Sequence, residues 1–541
     1  MTTEHEGTRG DLRWGTIGNL LDDAAQRRGK AEAVVDLSVV PEERISFEEL
    51  AERSHAVARS LIATGIEPGD RVAIWAPNIW EWVVALLGIH FAGAALVPLN
   101  TRYKGVEAAD ILRRSGARVL FCVDGFLGNE YVRMLREADA GMLDSLERVV
   151  VMRHEGTVPD GTLEFEEFLS AGEAIDPAEA QARAGQVRPD SMSDMMFTSG
   201  TTGAPKGVIQ THSASLRAFA DWADIVGLRE DDRYLVVNPF FHTFGYKAGI
   251  LAGLMSGCTL VPLPTFDVDR AAEVISLERI SMIPGPPTLY QTLLNHPDFF
   301  PEEVDTLRLA VTGAAAVPVA LVEAMRETLG FETVLTAYGL TEACGVVTVC
   351  RSDDDDETIS HSSGRAIPGI EVRVVDDNGA ELPAGQPGEV VVRGYNVMQG
   401  YFEDPVQTAE AIDSEGWLHT GDVGVMDDRG YLDITDRLKD MFIVGGFNAY
   451  PAEIEALLGA HPGIAQAAVV GVPDERLGEV AHAFVVPTTG TDLDPAEVVS
   501  WARDNMANYK APRTVEVVDE LPLNASGKVL RYELRSRATG S

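Results

Sequence analysis

Short apolar runs, many of them β-branched, alternate along the chain with longer stretches in which apolar positions recur every three or four residues. The short runs predict strands at 71–75, 94–99, 118–123, 148–151, 234–237, 259–263, 308–311 and 333–335. Amphipathic stretches such as 47–64 and 319–329 lie between them and predict helices. Alternation of this kind from about 45 to 338 predicts parallel sheets covered by helices. The pattern then changes. Two apolar runs, 370–375 and 389–393, flank Asp376-Asp377-Asn378-Gly379, and a second turn falls at Asp427-Asp428-Arg429-Gly430; these predict antiparallel hairpins. Beyond Lys439 comes a small α+β segment, with helices at 452–458 and 495–505 and strands at 467–470 and 482–486. The expected domains are 1–438 and 439–541. A long apolar stretch, 82–99, is interrupted by Gly88, His90, Gly93 and Pro98. It predicts a helix opened by a capping box of Asn78 with Glu81, then a strand, rather than a membrane span.

At 541 residues the chain exceeds what one core supports, in keeping with two or more domains. Its 84 acidic and 44 basic residues give a net charge of −40, which argues against non-specific nucleic-acid binding and against an anionic membrane surface. Polyanionic ligands would need positive charge concentrated locally. Only seven of the basic residues are lysines (30, 104, 206, 247, 439, 510 and 528), so each lysine is a candidate for a role that needs a compact ammonium. The four cysteines, Cys122, Cys258, Cys344 and Cys350, form no CxxC pair, which fits a reducing compartment without disulfide framework or zinc site. Glu4, Glu6 and Asp11 occupy the N-terminus with no apolar core of a leader, so no secretory signal is expected. The carboxylate run from Asp353 to Glu357 reads as a solvated loop; a metal site is the alternative.

Candidate chemistry concentrates in a few stretches. Thr198-Ser199-Gly200-Thr201-Thr202-Gly203-Ala204-Pro205-Lys206-Gly207 follows the apolar Met195-Met196-Phe197. Glycines that admit close backbone approach, hydroxyl donors and one lysine suit a loop wrapped around a polyphosphate. Gly207 follows the lysine, so this is not a Walker A loop; a Gly/Ser/Thr linker is the bland alternative. Thr336-Ala337-Tyr338-Gly339-Leu340-Thr341-Glu342 offers an aromatic to stack on a base and a hydroxyl beside a carboxylate to hold a cation near phosphate; a helix start capped by threonine would account for it equally. Trp417-Leu418-His419-Thr420-Gly421-Asp422 places a carboxylate after a turn.

Together, and in this order, these stretches resemble the adenylate-forming (ANL) enzymes: acyl-CoA synthetases, peptide-synthetase adenylation domains and luciferases. The resemblance covers nearly the whole chain. It implies an α/β fold with a large N-terminal domain of parallel sheets and a β-barrel-like subdomain, and a small, mobile α+β C-terminal domain. It implies a phosphate loop of Thr198, Ser199, Gly200, Thr201, Thr202, Gly203 and Lys206. Gly313, Ala314, Ala315, Ala337, Tyr338 and Gly339 would lie on the adenine side, with Thr341 at the α-phosphate and Glu342 on Mg²⁺. Asp422 would accept the ribose hydroxyls and Arg437 would reach ribose or phosphate. Lys439 takes the hinge position. Lys528, within Pro522-Leu523-Asn524-Ala525-Ser526-Gly527-Lys528, takes that of the catalytic lysine, and Gly445, Gly446 and Phe447 that of the pantetheine passage. ATP, Mg²⁺ and CoA are then the expected ligands.

The implied reaction joins a carboxylic acid to ATP with release of pyrophosphate, then passes the acyl group to CoA. Asn238-Pro239-Phe240-Phe241-His242-Thr243-Phe244-Gly245 is similar to the family's acyl-pocket motif, which makes His242, Phe244 and Gly245 pocket walls. An aspartate that would hold an amino-acid substrate is absent there. The stretches 239–251 and 284–291 are similar to actinobacterial CoA ligases acting on the indane-type propanoate left from steroid rings C and D; a fatty acid is the other candidate. Lys247 is expected either to meet a keto group of a ring substrate or to be a plain surface lysine. Alternative functions are an acyl-AMP ligase loading a carrier protein, a luciferase-like oxygenase and a non-catalytic nucleotide module. No Gly-x-Ser-x-Gly elbow supports a thioesterase of the α/β-hydrolase type. A cytoplasmic protein with no stable membrane insertion is expected, with a homodimer as the candidate assembly.

Overall fold

The computed structural model describes residues 9–141, 146–198, 205–296, 305–313, 317–437, 440–444, 447–449, 451–474, 477–506, 508–523 and 529–539. Two large sheets form the body of the chain. The first has nine strands, with a parallel centre of Arg233–Val236, Thr259–Pro262, Met282–Pro284, Leu309–Gly313 and Thr333–Tyr338. Glu32–Asp36 adds parallel at one side, and short antiparallel strands close both edges. The second sheet has eight strands. Arg71–Trp75, Ala95–Pro98, Ala117–Asp124, Arg148–His154 and Met192–Thr198 run parallel, and Lys206–Thr211 pairs antiparallel with Met192–Thr198. Parallel strands buried on both faces need continuous apolar sequence, which is why most of these runs were legible as strands; Glu32–Asp36 and Met282–Pro284 were not foreseen.

The helix Trp80–Phe91 is buried from Glu81 through Phe91, as a helix apolar on every side must be. It is not opened by the expected box. Ile79 occupies the N-cap without a side-chain bond. Asn78 instead spans to the neighbouring sheet: its amide donates to Val236 O (3.0 Å) and Asn238 O (2.9 Å), and its Oδ1 accepts from Phe240 N at 2.7 Å. Glu81 turns to Arg153. The box does form one helix earlier, where Ser46 and Glu49 cap Phe47–Ala63.

The third sheet is antiparallel, ordered Ile370–Val375, Pro387–Gly394, Leu418–Met426, Leu432–Arg437. It is the antiparallel subdomain expected after the two parallel sheets. Beyond it a fourth sheet, built from Phe442–Val444, Phe447–Ala449, Ile464–Asp474, Gly478–Pro487 and Thr514–Val517, has its own core around Val469, Val485 and Val498. The acidic run is divided between local tasks. Asp355 caps the helix Asp356–His361 and Asp354 accepts from the Tyr431 hydroxyl at 2.5 Å. Among the described residues no group of His, Cys, Asp and Glu could hold a metal ion by itself, and no helix is long and apolar enough to cross a membrane.

Candidate active site

The phosphate-loop sequence is the connection of a hairpin. Met192–Thr198 enters it, Lys206–Thr211 leaves it, and Thr198 lies opposite Lys206 in the ladder. Residues 199–204, with Ser199, Gly200, Thr201, Thr202 and Gly203, lie outside the described residues. The Thr198 hydroxyl donates to Glu342 Oε1 at 3.3 Å, and the Tyr401 hydroxyl donates to the same oxygen at 3.1 Å. Burial first, and then the Glu342 carboxylate, push the Tyr401 phenol well above its ordinary pKa, so it stays a donor. Lys206 donates to Gln407 Oε1 and lies 4.8 Å from the centre of the Tyr401 ring.

Glu342 sits in a 3₁₀ turn, Thr341–Ala343, directly after the strand Thr333–Tyr338. Leu340, not Thr341, takes the N-cap position, so the helix-start reading of this threonine fails. Gly339 is required by crowding: a Cβ there would lie 2.2 Å from Gly345 O. The turn's outward carbonyls are satisfied from other elements. Gln210 donates to Thr341 O (3.2 Å), Met398 N to Glu342 O (2.8 Å), and buried Asn396 to Ala343 O (3.3 Å). Gly313 lies beside Ala337 in the ladder, which puts the two adenine-side segments next to each other. Ala314 and Ala315 lie outside the described residues.

Asp422 is buried, and the Tyr338 hydroxyl donates to its Oδ2 at 2.6 Å. Thr420 fixes the turn by accepting from Asp422 N (3.1 Å) while donating to Val390 O (2.7 Å). Arg437 stands directly across from Asp422 in the antiparallel ladder. Glu342, Tyr338 and Asp422 thus form one wall, with the phosphate-loop hairpin at its end.

On the neighbouring side, Phe244–Leu251 forms a π-helical segment after the Pro239–His242 stretch. His242 is exposed, with Nδ1 accepting from Phe244 N at 3.3 Å, and Phe244 is half-buried, edge-on to Trp222 at 6.0 Å. Gly245 admits no side chain, since a Cβ would lie 2.1 Å from Pro239 O. Lys247 satisfies neither expectation. It is fully buried, so it is not a surface lysine, and its ammonium is already engaged: Asp194 Oδ1 lies at 3.1 Å and Cys344 Sγ at 3.5 Å. A substrate keto group is not what it faces.

Against this geometry, two family models match the chain: AMP-binding enzyme over residues 21–402, and AMP-binding enzyme C-terminal domain over 453–528. The chain belongs to the AMP-binding enzyme family. A curated relative from Rhodococcus jostii (strain RHA1), 3-[(3aS,4S,7aS)-7a-methyl-1,5-dioxo-octahydro-1H-inden-4-yl]propanoyl:CoA ligase, is 50% identical over 96% of this chain and 98% of its own. The ligase of the same name from Mycobacterium tuberculosis (strain ATCC 25618 / H37Rv) is 52% identical over 92% and 94%. Among solved structures, the anthranilate CoA ligase AuaEII in complex with anthranoyl-AMP superposes with a TM-score of 0.87 at 29% identity, covering 97% of each chain. ATP-bound MatB from Rhodopseudomonas palustris gives 0.84 at 30%, covering 96% of this chain and 98% of its own.

Of the residues expected from the AMP-binding resemblance, the structure brings together Thr198, Lys206, Tyr338, Thr341, Glu342 and Asp422. Lys439, Gly445, Gly446 and Lys528 lie outside the described residues, and of Arg437 and Phe447 only the strand positions are described. Leu523 and Val529, on either side of the Lys528 segment, form an antiparallel bridge. Sequence reasoning missed Asp194, Tyr401 and Gln407. Asp194 carried a signal: it is the one charged residue in the strand Met192–Thr198, directly before the apolar Met195-Met196-Phe197. Tyr401 and Gln407 carried none, because their partners are some 60 to 200 positions away in sequence.

Proposed function

We propose that this AMP-binding enzyme is a carboxylate–CoA ligase: acid and ATP give acyl-AMP and pyrophosphate, and CoA then displaces AMP to give the acyl-CoA. The acid is the bicyclic dioxo-indenyl propanoate named for the relatives at 50% and 52% identity. The observation that carries the reading is the meeting of Glu342 with Thr198, which joins the phosphate-loop strand to the turn after the adenine-side strand.

Glu342 offers a carboxylate oxygen on which two hydroxyls converge, an all-oxygen donor set that fits Mg²⁺ held by one carboxylate and substrate phosphates. Glu342 would hold that ion, which when bound neutralises phosphate charge. The protein's own groups do the rest. Lys206 and the loop hydroxyls hold the departing pyrophosphate, and Asp422 accepts the ribose hydroxyls. Thr341 would meet the α-phosphate, and Gly313, Ala314 and Ala315 are small enough to leave room for adenine. Lys528 supplies a positive charge to the attacked phosphoryl group. His242, Phe244 and Gly245 line the acyl side.

The domain boundary at Lys439 is part of the proposal. Rotation about it would withdraw Lys528 and bring Gly445, Gly446 and Phe447 to the site for the thiol step. The separate core of the fourth sheet supports a unit able to move as a body. We place the protein in the cytoplasm, as monomer or homodimer.

The test is ATP-dependent pyrophosphate release, with and without CoA, over fatty acids, aryl acids and the bicyclic keto-propanoate. CoA-dependent turnover fastest on the bicyclic acid is expected. Fastest turnover on a plain fatty acid would overturn the substrate, and pyrophosphate release without acyl transfer to CoA would overturn the ligase in favour of an acyl-AMP enzyme.

A further inference from the structure

Burying an ion pair is costly: each charge loses its hydration, and an apolar pair of the same size often stabilises a core as well or better. Lys247 and Asp194 are nevertheless both fully buried, 3.1 Å apart, in a region otherwise rich in apolar side chains. Their place in the fold shows what such a pair can do that leucines cannot. Asp194, Met196 and Thr198 alternate along one strand and so share a face. From that face Asp194 meets Lys247, Met196 Sδ accepts from Thr243 Oγ1 at 3.4 Å, and Thr198 donates to Glu342. The Ser193 hydroxyl holds the other Asp194 oxygen at 2.6 Å.

Lys247 makes a second contact, to the Cys344 sulfur, two residues after Glu342. Cys344 sits at φ +61, a left-handed conformation costly for a residue with a side chain, and it ends the turn that presents Glu342. Its neighbour Gly345, at φ +96, is pressed against Thr243: a Cβ there would lie 2.1 Å from Thr243 Cγ2. The turn is therefore gripped from the acyl-side helix at two successive residues. An ammonium has directional donors and a charge that tolerates no slippage in a dry site, whereas methyl groups can slide.

We infer that Lys247 and Asp194 are positioning residues, whose buried ion pair fixes the turn carrying Glu342 against the strand carrying Thr198. The pair thereby sets the geometry in which Mg²⁺ and ATP are received; this rests on the function proposed above. It does not touch substrate. Its influence on catalysis runs through Glu342.

The test compares wild type with Lys247→Met/Asp194→Leu, in which charge and counter-charge leave together, and with Asp194→Asn, in which only the counter-charge leaves. Three quantities are read: the thermal midpoint, the affinity for MgATP by calorimetry without any acid, and the Mg²⁺ concentration giving half-maximal pyrophosphate release. The double variant is expected to melt close to wild type yet bind MgATP about five- to tenfold more weakly and need several-fold more Mg²⁺. Asp194→Asn, which keeps shape but leaves the buried Lys247 ammonium without its counter-charge, should melt lower and lose at least as much MgATP affinity. The loss should be equal for a keto acid and a plain fatty acid. Folded Asp194→Asn or double variant with wild-type MgATP affinity would overturn the inference, and so would a loss confined to the keto acid. Wild type that binds MgATP but forms no acyl-CoA overturns the ligase reading alone. Wild type that does not bind MgATP overturns both.

Discussion

Lys247 meets one carboxylate in full burial, whereas Arg153, still 23% exposed, is shared by two: Asp36 Oδ2 at 2.7 Å and Glu81 through both oxygens at 2.6 and 2.7 Å. The first cluster lies against the turn that carries Glu342. The second ties a strand of the nine-stranded sheet, Glu32–Asp36, to the helix Trp80–Phe91 and the strand Arg148–His154. Ionised, the first cluster sums to zero and the second to minus one. Burial alone would lower the Lys247 pKa, but the Asp194 carboxylate and then Cys344 hold it above the ordinary value, so the ammonium keeps its charge. Glu81 behaves oppositely. Burial, with the Asp36 charge nearby, outweighs the Arg153 guanidinium and pushes it up to about 7. A balanced buried pair is a fixed geometric device; an unbalanced one is a proton-sensitive strut.

The difference can be broken most directly by removing each cation. Lys247→Met strands a carboxylate with no solvent access and should cost about 3–5 kcal/mol. Arg153→Met strands two carboxylates, but Glu81 can take a proton and the site is partly wet, so the loss should be nearer 1–3 kcal/mol. Thermal midpoints of the two variants give the order. An equal or reversed order would mean that the excess charge at Glu81 is not relieved by a proton.

Acidity separates the clusters next. A carboxyl whose folded pKa lies above its ordinary 4.5 keeps its proton more tightly in the folded state. Its contribution is complete below about 4.5 and is lost as pH rises to about 7. Across that window the group tilts stability by at most about 1.4 kcal/mol per pH unit. Glu81→Gln, which cannot ionise but still accepts from Arg153, should flatten this slope in urea unfolding followed across the window. Lys247→Met/Asp194→Leu should leave the slope as in wild type.

These clusters also mark where the sequence could be read and where it could not. The parallel strands were legible because burial on both faces writes continuous apolar runs; 71–75 was placed without error. Thr198, Glu342 and Asp422 could be singled out as candidates because each motif is local. What failed is what depends on distant partners. Asn78 looked like a helix cap and is a bridge to Val236, Asn238 and Phe240. Lys247 looked like a pocket or surface cation, because nothing next to it in sequence announces Asp194 or Cys344. The strand Lys206–Thr211 was hidden by its opening Lys-Gly, which reads as loop. The hairpin strand 370–375 was placed without error, but its partner and the C-terminal strands were underestimated in length, since half-buried strands end in polar residues.

A third buried carboxylate extends the comparison to its mildest case. Asp422 receives a neutral phenol, Tyr338 Oη–H, at 2.6 Å, in a position where the proposed ligand would bring two ribose hydroxyls. A neutral donor can be shared or displaced at small cost, since arriving hydroxyls replace what the phenol gave. Tyr338→Phe should therefore change KM for ATP by less than about threefold, under 1 kcal/mol, and leave kcat unaltered. Asp422→Asn, which turns one acceptor into a donor, should raise KM for ATP well beyond that. If Tyr338→Phe cost as much as Asp422→Asn, the phenol would be part of the recognition itself. Asp422 would then belong with Asp194, as a carboxylate fixed by its partner, and not with groups that exchange partners when ligand arrives.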